Sequence, residues 1–136
     1  MGLSRKGDAP RSWKAHEVQD GYRTDKQEND IARVIPIADS TNAYYFASLN
    51  EAFAALTDDG DILEMLADGR LTTTAEITKS VTIRTSDDAL TNLGGPAWIQ
   101  RAFDNSGLVI KTGAQVVIEN CGVYGRYNNS DNRSSI

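Results

Sequence analysis

Two acidic pairs, Asp58-Asp59 and Asp87-Asp88, come nearest to a catalytic set in this 136-residue chain. Glycoside hydrolysis needs two carboxyl groups facing each other across one bond, one as acid and the other as base or nucleophile. Sequence neighbours do not face each other in that way. Both pairs stand where the chain is expected to turn, so capping and solvation are their expected roles. Asp87, Asp88 and Asp104 are the candidates for a calcium contact, yet they lack the regular Asp spacing of a calcium loop. His16 is the single histidine. A zinc site or a Ser-His-Asp triad would have to be assembled around it, in a segment expected to be unstructured. Gly94-Gly95 reads as a turn, because neither Lys-Ser/Thr nor an opening helix follows it as a phosphate loop requires.

Binding chemistry is better represented than catalysis. Trp98, Tyr124 and Tyr127 are the candidate platform for stacking on a sugar ring, since an aromatic side chain offers a large flat apolar face with a polar handle. Asn128-Asn129-Ser130 and Asn132-Arg133-Ser134 fit the glycosylation sequon in an Asn/Ser-rich stretch where such matches arise by composition. Cys121 is the single cysteine, which excludes an intrachain disulfide and reads as a small buried apolar residue. No catalytic, cofactor-binding or metal-binding set is expected, and no cofactor.

Bulk properties narrow the partners. The chain carries 14 Lys and Arg against 19 Asp and Glu, for a net charge of −5. Phosphate attraction needs clustered Lys and Arg, so a nucleic-acid surface is not expected. Residues 1–30 are neutral overall, and the acidity lies in the remainder. No apolar run is long enough to cross a membrane as a helix, and no apolar stretch follows the first residues as a secretory signal requires.

The elements that must position these residues are short. Residues 1–30 mix charge, Gly and polar residues, with Trp13, Val18 and Tyr22 as isolated apolar points, and read as a disordered arm. Residues 31–37 read as an extended segment that Pro36 confines to an edge or irregular strand. Then comes a well-written helix. Ser48 is the N-cap and Glu51 stands at the capping-box position. Leu49, Ala52, Phe53 and Leu56 form one apolar stripe, and Gly60 is available for a left-handed C-cap. Short strand-like runs follow at 62–66, 71–77, 80–85, 108–111, 115–119 and 122–125. Residues 86–96 read as a polar loop, residues 97–103 as either strand or helical turn, and residues 126–136 as a polar tail.

Two of those runs resemble each other. Residues 77–83 (ITKSVTI) and 110–120 (IKTGAQVVIEN) share one order: an apolar residue, a turn, then alternating apolar residues, with the second turn two residues longer. The turns lack the Asn-Gly or Asp-Gly pairs of two-residue hairpins. They suit a solenoid whose short strands stack on their equivalents in the next coil.

The order YYFASLNEAFAAL, GDILEMLAD, ITKSVTI, LVIKTGAQVVIEN resembles the N-terminal cap and first coils of right-handed parallel β-helix proteins. More narrowly it resembles the pectin-lyase-like modules of large bacterial surface proteins. Tyr45, Ser48, Leu49, Glu51 and Ala52 carry the first part of the likeness; Gly60, Asp61, Leu63, Leu66 and Asp68 the second; Lys79, Val81, Thr82 and Ile83 the third. The likeness covers residues 31–125. It departs at Ile62, where those modules usually have Thr, and in the first thirty residues, which match nothing in the pattern.

The expectation is therefore a mainly β chain, a right-handed parallel β-helix (solenoid) fragment with a short capping α-helix near its N-terminus. Its parts would be an arm (1–30), cap and first coils (31–125) and a polar tail (126–136). Ser48, Leu49, Glu51, Ala52, Phe53, Leu56 and Gly60 would build the cap. The resemblance implies a non-catalytic module of a bacterial cell-surface or secreted protein, a spacer, adhesin or glycan-contacting scaffold whose partner is a polysaccharide or cell-surface glycan. It leaves two alternatives open: the first part of a polysaccharide lyase or hydrolase with its catalytic coils elsewhere, and a phage tail-spike segment.

Overall fold

The computed structural model describes residues 22–102 and 107–123. The protein is mainly β, with ten named strands among the described residues: β1 Ala32–Ile35, β2 Tyr44–Phe46, β3 Ile62–Met65, β4 Gly69–Leu71, β5 Ala75–Ile77, β6 Val81–Thr85, β7 Ala97–Arg101, β8 Leu108–Ile110, β9 Val116–Glu119 and β10 Cys121–Val123. Among the described residues two α-helices join them, α1 Leu49–Ala54 and α2 Asp87–Leu93, with a 3₁₀ turn at Ile37–Asp39.

The strands form three sheets. One has the order β9-β6-β3-β1-β2, the second β10-β7-β4 and the third β5-β8. From β3 onward every pairing is parallel, whereas β1 pairs antiparallel with both β2 and β3. The chain visits the sheets in turn through β3, β4 and β5, repeats the circuit through β6, β7 and β8, and begins it again with β9 and β10.

The internal resemblance read from the sequence is a pairing register. Ile77 stands beside Ile110, Val81 beside Val116 and Ile83 beside Ile118. Alternation along each strand sends one row inward. Val34, Leu63 and Ile83 form such a row across β1, β3 and β6, each with no exposed surface. Full burial of such an aliphatic side chain contributes about 1.5–3 kcal/mol. In the second sheet Ala97 and Ile99 are equally buried.

Helix α1 forms where its caps and stripe require. The Ser48 Oγ accepts from Glu51 N at 3.2 Å, and Leu49, Ala52 and Phe53 are buried. The helix packs against β1, β2, β4 and β5. Asn50 ties it to the turn between β4 and β5: its Oδ1 accepts from Thr72 N at 2.8 Å, and its Nδ2 donates to Thr73 O at 3.0 Å. That turn divides the run expected at 71–77 into two strands.

Four expectations need correction. Gly60 does not cap α1, which ends at Ala54 with Ala55 in right-handed geometry. It serves the turn into β3 at φ 96, where an added Cβ would lie 2.5 Å from the Ile37 side chain. The segment 86–96 is not all loop. Ser86 Oγ accepts from Ala89 N at 3.1 Å, and Gly94 at φ 73 closes α2. Residues 97–101 take the first of the two readings left open and are strand, which is no correction. Ordered structure begins before Ile31: Arg23 bridges Tyr45 in antiparallel sense, and the Tyr22 ring packs against Tyr44 and Phe46. Pro36 follows β1 rather than marking an edge, and β1 lies inside its sheet.

Candidate functional site

The site is built from β4, β7 and β10. Parallel register sets Arg70 beside Gln100 and Trp98 beside Gly122. Ala97 and Ile99 face the core, so alternation turns Trp98 and Gln100 outward. Trp98 keeps 43% of its surface exposed, unusual for the largest apolar side chain. Its backbone N–H donates to Asp68 Oδ1 at 2.8 Å, which anchors the start of β7 beside β4.

The indole lies over Gly122. A Cβ at that glycine would fall 2.5 Å from Trp98 Cδ2 and Cε3. The ring therefore rests on a strand position with no side chain beneath it. Arg70 Nε donates to Gln100 Oε1 at 3.4 Å. Arg70, Trp98, Gln100 and Arg101 line a shallow depression of about 490 Å³. A flat aromatic ring beside a guanidinium and an amide suits a ligand with one apolar face and peripheral hydroxyl or anionic groups.

Of the three predicted aromatic residues, Trp98 is at this site. Tyr124 and Tyr127 lie outside the described residues, as do His16, Asp104 and both sequons. Sequence reasoning missed Arg70, Gln100 and Arg101. The alternation of Trp98 and Gln100 was a visible signal, but the pairing of Arg70 with Gln100 depends on strand register.

The acidic pairs do not form a facing set on any described contact. Asp59 Oδ1 accepts from Ser80 N at 2.9 Å, and Asp87 and Asp88 sit exposed in the first turn of α2. The buried carboxylates are others. Asp61 is 1% exposed and accepts from three backbone N–H groups: Ile37 at 2.9 Å, Thr57 at 3.1 Å and Asp58 at 3.0 Å. Glu64 is gripped from both sides, by Arg33 Nε at 2.7 Å and Arg84 Nε at 2.7 Å. Asp30 accepts from Arg23 Nη1 at 3.0 Å and from Gln27 N at 2.7 Å. The Arg23 hydrogen bond holds the Asp30 carboxyl below the usual range, against the opposing effect of burial. All three carboxylates are consumed by structural partners. Among the described residues no group of three or more His, Cys, Asp or Glu gathers as a metal site would.

A second depression, of about 510 Å³, lies between the Tyr22-Arg23 segment and α1, with Tyr45, Ser48 and Glu51 on its walls. Arg23 there is committed to Asp30, the Ser48 hydroxyl to the helix cap and the Tyr45 hydroxyl to Arg33. No helix among the described residues is long and apolar enough to cross a membrane. None of the family models, curated proteins or solved structures compared with this chain matches it.

Proposed function

We propose that the chain is a non-catalytic β-solenoid module, of the right-handed parallel β-helix kind, that holds a glycan-contacting face on a bacterial cell-surface or secreted protein. Support for the solenoid comes from the repeated circuit of the chain through three sheets in parallel register. Parallel crossovers are overwhelmingly right-handed. Helix α1 is then the cap: Leu49, Ala52, Phe53 and Leu56 cover the end of the first coil, where open strand edges would otherwise pair with other chains. The resemblance of residues 31–125 to pectin-lyase-like modules supports the surface location.

One observation carries the binding role: Trp98 stands exposed over Gly122, beside Arg70 and Gln100, on the outward face of a sheet. A pyranose ring would stack on the indole, and its hydroxyls would meet the guanidinium and amide. The buried carboxylates are already paired, which favours binding over hydrolysis.

The test is a glycan array probed with the full chain and with Trp98→Ala. Binding to a defined set of glycans is expected, weakened at least about fivefold in the variant at unchanged melting temperature, since one stacked aromatic contributes on the order of 1–3 kcal/mol. Retained binding by Trp98→Ala would remove the proposed site. Calcium-dependent release of unsaturated products from pectin would overturn the non-catalytic reading and favour the lyase.

A further inference from the structure

The two ends of the five-stranded sheet differ in how their edges are protected. At one end, the edge strand β2 is guarded: Tyr45 N donates to Arg23 O at 2.9 Å, and Tyr22 covers Tyr44 and Phe46. At the other, β9 has no strand on its far side among the described residues. The strands β10 and β8 are edges of their own sheets as well. Half-buried apolar residues collect there. Ile110, Val116, Ile118, Cys121 and Val123 pack against the core yet stay partly open, while Val81 and Ile83, one strand inward, are 3% and 0% exposed. Edge strands are normally protected by Lys, Pro or a bulge. Between Val116 and Glu119, β9 has neither Lys nor Pro, and Val117 is 51% exposed.

We propose that β9 pairs antiparallel with β9 of a second copy of this chain across a two-fold axis. This goes beyond the glycan reading and does not rest on it. The β2 edge already carries the Arg23 bridge and the Tyr22 ring, which disfavours head-to-tail stacking of β9 on it and favours closed pairing of like edges. Register follows from alternation. A one-residue slip would send Val116 and Ile118 to the solvent face. The pairing that keeps them inward and uses the whole strand sets Val117 against Val117 of the second copy and Val116 against Ile118. Glu119 then faces the neutral Gln115 instead of another Glu119, so no like charges meet.

The experiment uses the full chain in light scattering over a concentration series. The mass should rise from one chain to two. Val117→Lys puts two like charges face to face on an outward position outside the core, and should weaken dimerisation at least about tenfold with an unchanged circular dichroism spectrum. In a Cys121→Ser background, Val117→Cys should form a disulfide dimer under mild oxidation, because directly opposed residues lie about 4.5–5.5 Å apart. Thr82→Cys in the same background should not. A chain that stays monomeric throughout the series overturns the proposal. So does a dimer that Val117→Lys leaves intact, or a Val117→Cys cross-link no stronger than that of Thr82→Cys.

Discussion

The indole of Trp98 lies across Gly122 on the neighbouring strand, close enough that a Cβ there would be 2.5 Å from two of its ring carbons. The two residues are paired in register, so the backbone cannot retreat without breaking the β7-β10 ladder. Gly122→Ala should therefore swing the ring off the strand, at a cost of about 1 kcal/mol as a small overpacking strain at a surface position. In a Trp13→Phe background, which leaves one tryptophan, the fluorescence should shift to longer wavelength and quench more readily with acrylamide. Identical spectra would show that the ring does not rest on Gly122.

Asp61 is expected to be the costliest polar residue to remove. Its two oxygens satisfy three backbone donors in the turn that joins α1, the 3₁₀ turn and β3. Asp61→Ala leaves those part-buried N–H groups without their carboxylate acceptor. Unsatisfied buried donors cost about 1–3 kcal/mol each, so a loss on the order of 3 kcal/mol should appear as a lower urea midpoint. Asp61→Asn keeps one acceptor oxygen and should fall between. A midpoint within error of the parent for Asp61→Ala would refute the assignment.

Acid should weaken the Tyr22–Asp30 segment through Asp30. Its carboxyl titrates lower in the folded chain than in the unfolded one, because Arg23 donates to the charged form. The folded state then binds fewer protons in the interval between the two values. The stabilisation is complete above the unfolded value of about 3.9 and is lost as pH falls through the folded value. Asp30→Asn should lower stability at neutral pH and flatten the acid limb of the stability profile. An acid limb as steep as the parent's would locate the effect elsewhere.

Cys121 should behave as a slow thiol. Burial pushes it up to about 11, partly offset by the neighbouring Thr85 hydroxyl. At pH 8 only about one thiol in a thousand would then be ionised, and the thiolate is the reactive form. Alkylation by iodoacetamide should be slow in the folded chain, rise about tenfold per pH unit into the alkaline range, and become ordinary in urea. Rapid labelling of folded protein at neutral pH would contradict the environment described.

Much of the local architecture was legible. Ser48 and the Leu49, Ala52, Phe53 stripe specify α1 because caps and helical spacing are contained within a few residues. The likeness between 77–83 and 110–120 anticipated which strands lie side by side, because stacked equivalents bury the same inward row. Helix α2 was missed although Ser86 and Gly94 bracket it, since it buries only Ala89 and writes no clear stripe. Arg23 and Asp30 were absorbed into the arm because their pairing is with each other and with Tyr45, far along the chain.

By itself the sequence determined that a capped apolar helix starts after Ser48 and that short strands with two alike segments follow it. Those are short-range matters of period, capping and residue type. Tertiary structure alone decided that Arg70 lies beside Gln100, that Trp98 rests on Gly122, that Asp61 and Glu64 are buried against their partners, and that one sheet edge is guarded while the other has no strand beyond it among the described residues. The first two depend on parallel register between segments distant in sequence, and the others on turn geometry or antiparallel pairing that no local pattern spells out. A one-residue slip in that register would move every side chain to the opposite face.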